Sequence, residues 1–174
     1  MAGPAASFDP ITLEVLWTRI ISVVDEAAKA IVRTSFSTLS NEANDFACVL
    51  TDARGNALAQ NSGSIPSFIG TLPATVRHFL REIGPERMRP GDVLITNDPW
   101  QGTGHMSDVS LVKPIFHTQD GLVRLVAFSS TTSHMPDIAG GSGPSRRASC
   151  SRRASTSPSR GSAGATRRTR RCSG

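Results

Sequence analysis

Two short motifs in this sequence pair an imidazole with a carboxylate three positions later. They are His105–Asp108 (HMSD) and His134–Asp137 (HMPD). Such a motif arises often by chance, and its residues could be polar loop side chains that hydrogen-bond to the backbone or to water. The two motifs flank a predicted β-hairpin, however, and this placement favours one shared site.

The hairpin is predicted from two apolar stretches, Val109–Phe116 and Leu122–Ser129, whose linker contains the turn-forming dipeptide Asp120-Gly121. If the chain turns there, opposed residues have numbers that sum to about 241. Position 105 then faces about position 136, and 134 faces about 107. A register error of one or two residues moves these positions by only about 3–7 Å. Both motifs therefore reach the open end of the same hairpin.

Two imidazoles with one or two carboxylates and no thiolate suit a borderline or hard divalent ion such as Mn, Zn or Fe. His105 and Asp108 cannot both reach one ion from a regular strand, because residues three apart point to opposite faces. Gly102 and Gly104 permit a bent loop instead. We therefore predict a metal site formed by His105, Asp108 and His134.

Other residues near these motifs have less specific roles. Asn97 and Asp98 precede the Gly-rich loop and could be additional ligands or hold the ligands in place, or they could only form a turn before Pro99. Asp137 is a further candidate of the same kind. No Ser-His-Asp pattern, phosphate-binding loop or dinucleotide glycine motif identifies a catalytic residue or an organic cofactor site.

The elements around the predicted site indicate an α+β fold. Helices and hairpins occur without βαβ alternation, so we expect a long N-terminal helix plus β-hairpins, as part of a larger mixed-sheet domain. The helix starts at Asp9-Pro10, a capping carboxylate followed by proline. It continues to about Val32. The other predicted elements are strands at Phe46–Leu50, Ala57–Gln60 and Asp92–Thr96, and a helix from Thr71 or Leu72 to Ile83.

Three further residues with chemical potential receive structural interpretations. His78 lies between arginines on the second helix, so we expect it to face solvent. His117 lies in the hairpin linker, where we expect it to be exposed. Cys48 alternates with apolar residues in a strand, which favours a buried thiol over a nucleophile.

Acidic and basic residues are unevenly distributed along the chain. The sequence has 174 residues and a net charge of +5, but all 14 acidic residues lie in positions 1–140, and nine arginines lie in positions 141–174. An evenly basic nucleic-acid-binding domain is therefore excluded. We expect disorder at 1–7, a folded region at 8–141, and a disordered tail at 142–174, which is mostly Gly, Ser, Ala, Pro, Thr and Arg.

The tail has two interpretations. It could be an Arg-rich arm that binds nucleic acid. Its lack of Lys and of aromatic residues favours instead GC-rich DNA read in a shifted frame, which argues against a nucleic-acid partner. No apolar run reaches the roughly 20 residues of a membrane span, and no secretory signal is readable. With three scattered cysteines, these features favour a cytoplasmic location.

Five segments resemble, in this order, the start of the hydantoinase B/oxoprolinase family, over roughly residues 8–141. They are DPITLEVLWTRIISVVDEAAKAIVRTSFS, SNEANDFACVLTDARGNALAQ, IPSFIGTLPATV, GDVLITNDPWQGTGHMSDVSLVKPIF and SHMPDIAGG, and the fourth is the most specific. Many members have a second His where this chain has Met135, and Ala139 interrupts a typical Asp-Ile-Gly-Gly. Members usually run to several hundred residues, so we expect a truncated or frameshifted N-terminal piece.

The resemblance implies an ATP-dependent system that opens cyclic amides such as 5-oxoproline or hydantoins. It implies a divalent metal in the B-type component, with ligands in the blocks that match His105, Asp108 and His134. It also implies a hydantoinase A-like subunit or domain that binds ATP and phosphorylates the substrate, so this chain would not bind ATP. We expect the chain to be inactive alone, because a core cut near Gly140 leaves apolar faces without their partners. Two alternatives stay open: part of an acetone-carboxylase-type alpha subunit, and a non-catalytic protein with an Arg-rich nucleic-acid-binding tail.

Overall fold

A computed structural model describes residues 9–35, 42–135 and 152–155. The elements in chain order are α1 (Pro10–Thr34), β1 (Phe46–Asp52), β2 (Ala57–Gln60), α2 (Pro66–Ile83), a 3₁₀ turn (Pro85–Arg87), β3 (Asp92–Thr96), β4 (Asp108–Gln119), β5 (Leu122–His134) and β6 (Arg152–Ser155). Within the described ranges the strands form one antiparallel sheet in the order β2-β1-β5-β4-β3-β6. The predicted α+β class is confirmed.

Helix α1 covers one face of β1 and β2. It begins where the sequence predicts, because the Asp9 carboxylate accepts hydrogen bonds from the backbone N–H groups of residues 11 and 12, and Pro10 occupies the first helical position. Val24 and Ala28 pack against a cluster that includes Cys48. Burial raises the pKa of the Cys48 thiol, and the predicted core position of this residue is confirmed.

Helix α2 covers the opposite face of the sheet. Its Val76 and Phe79 side chains are fully buried against Leu94, Val112 and Phe128 of the central strands. The helix begins at residue 66, earlier than the predicted start at Thr71 or Leu72, because a proline at the first helical position initiates it within a segment rich in Gly, Ser and Pro. In the part of the chain that the structure describes, no helix combines the length and hydropathy needed to cross a membrane.

The expectation that His78 faces solvent is wrong. His78 is buried and its ring lies 5.8 Å from that of Phe79, measured between centroids. The flanking arginines obscured this position, but His78 lies three residues after the fully buried Thr75 and therefore shares the inner side of α2. Burial lowers the pKa of the His78 imidazole, an effect that the nearby Glu82 carboxylate opposes.

The β4–β5 hairpin turns at Asp120-Gly121, as the sequence predicts, and His117 near the turn is exposed. Paired residue numbers sum to 241 from Gln119↔Leu122 to Phe116↔Leu125, and to 242 from Ile115↔Ala127 to Asp108↔His134. Val126 is therefore an extra, bulged residue. Leu125 packs on the α2 side before the bulge, whereas beyond it the even-numbered residues from Phe128 to His134 lie on that side.

Four residues of the predicted disordered tail form a strand. Arg152–Ser155 pairs antiparallel with residues 92–95 of β3. A sheet edge offers backbone N–H and C=O groups to any extended segment, so pairing does not require the apolar side chains that the tail lacks. The remaining tail residues and residues 1–7 lie outside the described ranges.

Candidate metal centre

Asp108 and His134 face each other across the β4–β5 ladder. Asp108 begins β4, His134 ends β5, and the two residues are direct partners in the register. Directly opposed residues of an antiparallel pair project to the same face, so both side chains share one side of the sheet. His134 Nδ1 lies 2.8 Å from Asp108 Oδ1. The Asp108 side chain is only 4% exposed, and that of His134 is 24% exposed.

His105 reaches the same carboxylate from the loop before β4. Gly104 adopts a φ of +87°, which favours glycine, and the Asp108 backbone N–H then donates to the His105 carbonyl oxygen. The expected bent loop is confirmed. His105 Nδ1 lies 3.6 Å from Asp108 Oδ1, and the His105 and His134 rings stack with centroids 4.9 Å apart and planes inclined by 7°.

The loop that carries His105 is anchored at several points. The Asp98 carbonyl oxygen accepts hydrogen bonds from the backbone N–H groups of Gln101 and Gly102, at 3.1 and 2.9 Å, while Asp98 Oδ1 accepts one from Trp100. On the helix side, Thr75 Oγ1 donates to the Gln101 carbonyl oxygen at 2.8 Å. These contacts fix the path of the chain between β3 and the cluster.

The structure brings together the three residues predicted as principal ligands. One ligand atom from each of His105, Asp108 and His134 lies within 4.8 Å of the others, and among the described residues this is the group with metal-ligating geometry. The contacts of Asp98 are those of a turn, and Asn97 is half-buried beside it. A metal role for this pair stays a prediction. Asp137 lies outside the described residues.

Thr103 is a site residue that the sequence reasoning missed. Its hydroxyl donates a hydrogen bond to Asp108 Oδ2, the oxygen that does not face the imidazoles. The sequence signal for this role was a hydroxyl residue between two glycines, five positions before the predicted carboxylate ligand. The Asp108 carboxylate therefore has partners at both oxygens.

The cluster fits a divalent cation. Ligand atoms bound about 2.0–2.2 Å from one ion lie roughly 3–3.5 Å from each other. The two nitrogen-to-oxygen distances of 2.8 and 3.6 Å are near this range, so small side-chain movements suffice. Two imidazole nitrogens and one carboxylate oxygen suit Mn, Zn or Fe. The His105 side chain is 61% exposed, which leaves one side of the cluster open to solvent.

A buried pair of hydroxyl side chains lies next to the cluster on the same face of the sheet. Ser110 and Thr132 occupy the next inward position of the same ladder, and their hydroxyl oxygens lie 2.6 Å apart with both residues almost fully buried. The next inward pairs include Val112 and Phe128, which belong to the apolar core under α2. The candidate site thus lies at the end of a packed sheet face.

The described residues thus form an α+β fold in which two imidazoles and a carboxylate meet at the open end of the central β4–β5 hairpin, as a candidate metal site. The hydantoinase B/oxoprolinase family matches residues 9–154, and this chain belongs to that family. The match extends past Gly141, beyond the roughly 8–141 range of the resemblance predicted from the sequence motifs.

Relatives at about one-third identity agree with this assignment. A putative B-type subunit of a D-/L-hydantoinase from Pseudomonas sp. (strain NS671) is 35% identical over 133 residues, which are 75% of this chain and 22% of the relative. The 5-oxoprolinase of Saccharomyces cerevisiae is 32% identical over 139 residues, 80% of this chain and 10% of that protein. The chain therefore spans less than a quarter of the length of these relatives.

Solved structures show the same fold. The crystal structure of an ATP-dependent caprolactamase from Pseudomonas jessenii is similar with a TM-score of 0.64 and 30% identity, covering 79% of this chain and 23% of that one. A nucleotide-free acetone carboxylase gives a TM-score of 0.62 at 22% identity, covering 72% of this chain and 16% of that one, a likeness of fold alone.

Proposed function

We propose that this chain is part of the metal-dependent B-type component of an ATP-dependent system that hydrolyses cyclic amides, with 5-oxoproline or hydantoin rings as the substrate class. The observation that carries the proposal is the convergence of three ligand atoms from His105, Asp108 and His134 within 4.8 Å. Relatives named hydantoinase, 5-oxoprolinase and caprolactamase support the substrate class, since each name refers to a cyclic amide.

The residues of the cluster have distinct tasks in this proposal. His105 and His134 would hold the cation through ring nitrogens, and Asp108 would hold it through Oδ1. Burial of the Asp108 side chain keeps water from competing for the carboxylate, and exposure of His105 leaves room for a substrate. A bound divalent ion supplies Lewis-acid chemistry, by which a carbonyl or phosphoryl oxygen is polarised or a water is activated.

The proposal assigns the use of ATP to a hydantoinase A-like subunit or domain. The sequence has no phosphate-binding loop, one relative is named as the B-type component of a hydantoinase, and the caprolactamase is described as ATP-dependent. The chain alone would therefore not turn over 5-oxoproline or a hydantoin. Measured turnover without a partner would contradict this part of the proposal.

A reducing cytoplasm is the proposed location, and it suits the buried free thiol of Cys48.

An acetone-carboxylase-type function is the second candidate. The fold likeness to acetone carboxylase favours it, with a TM-score close to that of the caprolactamase. The lower sequence identity, 22% against 30%, places it second. Substrate assays with a reconstituted ATP-binding partner separate the two, because a cyclic-amide hydrolase releases a ring-opened product whereas the carboxylase forms a new carbon–carbon bond.

Equilibrium dialysis of the 174-residue chain against Mn²⁺ tests the cation site. We expect about one ion per chain, and at least a tenfold loss of affinity in His134→Ala and Asp108→Ala, since even residues that only support a ligand change affinity by about 10–100-fold. His117→Ala is the matched control, because His117 is an exposed imidazole near the distal turn of the hairpin. A wild-type chain that retains no ion would refute the proposed site.

A further inference from the structure

Thr103 contacts the oxygen of Asp108 that does not face the two imidazoles. Its hydroxyl donates to Oδ2, while Oδ1 lies 2.8 Å from His134 Nδ1 and 3.6 Å from His105 Nδ1. We propose that Thr103 is a positioning residue that holds the carboxylate so that Asp108 binds the cation through Oδ1 alone, and thereby favours a small transition-metal ion over Ca²⁺. This inference rests on the proposed cation site.

The carboxylate needs such a restraint because its terminal torsion is soft. Rotation about the Cβ–Cγ bond of an aspartate has a broad energy profile, so an unrestrained carboxylate can turn both oxygens toward an ion. Two-oxygen binding suits Ca²⁺, which takes six to eight oxygen ligands at about 2.3–2.6 Å. One oxygen with two imidazoles suits Mn or Zn at shorter distances. A donor fixed on Oδ2 therefore acts on affinity and on selectivity.

The backbone around Thr103 keeps its hydroxyl in place. On one side, a Cβ at Gly102 would lie 3.1 Å from the Asp98 carbonyl oxygen, so a larger residue there would require the loop to shift by a few tenths of an ångström. On the other side, Gly104 turns the chain through its positive φ. The hydrogen bond from Thr75 to Gln101 ties this segment to α2. The donor is thus positioned before any ion binds, which is the arrangement expected of a residue that orients a ligand.

Two substitutions in the 174-residue chain separate the hydroxyl from the rest of the side chain. Thr103→Val keeps the branched shape and removes the donor, whereas Thr103→Ser keeps the donor. We expect calorimetric titration to show a fall of about 10–100-fold in Mn²⁺ affinity for Thr103→Val, with a smaller or no fall for Ca²⁺. Thr103→Ser should stay within about threefold of the wild type, because the hydrogen bond to the carboxylate is retained.

Nuclear magnetic resonance spectra of the metal-free chain distinguish a loss of this hydrogen bond from a loss of folding in the variants. The hydrogen bond between His134 Nδ1 and Asp108 Oδ1 should give a protected ring N–H signal in nuclear magnetic resonance spectra. We expect Thr103→Val to lose that signal and Thr103→Ser to keep it, while the backbone amide spectra of both remain those of the folded wild type.

The outcomes distinguish this inference from the proposed function. If Thr103→Val matches the wild type in Mn²⁺ affinity, in the Mn²⁺ to Ca²⁺ ratio and in the ring signal, the role of Thr103 is refuted while the cation site stands. If the wild type binds no Mn²⁺, the proposed function is refuted, and with it the selectivity assigned to Thr103. Loss of the ring signal in Thr103→Val, with rescue in Thr103→Ser, still supports its action on the carboxylate.

Discussion

Deletion of the bulged residue Val126 should leave the candidate site intact. The register on the turn side of the bulge ends at Phe116↔Leu125 and resumes at Ile115↔Ala127. Without Val126 these two pairs follow each other directly, so no partner changes and His134 still faces Asp108. We expect Mn²⁺ affinity within about threefold of the wild type, because no predicted ligand or supporting residue moves.

Deletion of Ser129, beyond the bulge, should destroy the site. It moves His134 by one position, about 3.3 Å along the strand, and turns its side chain to the opposite face. The inward positions of Ser130 and Thr132 would then hold Thr131 and Ser133, so the packing changes little and the sheet should still form. We expect Mn²⁺ affinity to fall at least about 100-fold, since loss of a ligand exceeds loss of a supporting partner.

Calorimetric titration with Mn²⁺ compares the two deletions, and circular dichroism verifies that both variants are folded. The two chains have equal lengths and each lacks one exposed residue of β5, so they control for each other. Equal losses of affinity would refute the register argument. Wild-type affinity in the Ser129 deletion would show that His134 does not contact the ion.

Two further predictions concern the supports of the site. Phe128→Ala should lower the free energy of unfolding by about 3–5 kcal/mol, since Phe128 is fully buried between α2 and the sheet. Leu122→Ala on the exposed turn should change it by about 0.5 kcal/mol or less. Urea denaturation measures both variants, and equal effects would contradict the assigned core. Burial lowers the pKa of His78, so the unfolded chain takes up a proton first and stability should fall as the pH drops from about 7.5 to about 5.5. The fall should be smaller in His78→Gln, and identical pH profiles would refute the assignment.

Much of the fold follows from local sequence signals. Asp9-Pro10 located the start of α1, and Asp120-Gly121 located the turn of the β4–β5 hairpin. The start of α2 could not be predicted from local signals, because the Gly, Ser and Pro residues near Pro66 are common to loops and helix starts. Strand β6 did not follow either, since backbone pairing at a sheet edge leaves no side-chain pattern.

The composition of the site was predictable, but its register was not. Types and spacing identified His105, Asp108 and His134 as a group. The run from Ser129 to Ser133 contains only Ser and Thr, so it has no apolar alternation that could reveal which residues face inward. A straight ladder from the turn would place His134 opposite Ser107, and only the bulge at Val126 places it opposite Asp108.

X-ray absorption spectroscopy of the Mn²⁺- or Zn²⁺-loaded chain tests the central claim most directly, since it counts the imidazoles bound to the ion. We expect two imidazole nitrogens and a single-oxygen carboxylate contact at about 2.0–2.2 Å in the wild type. One imidazole should remain in His134→Ala. An ion surrounded only by oxygen atoms, with a spectrum that His134→Ala leaves unchanged, would contradict the account.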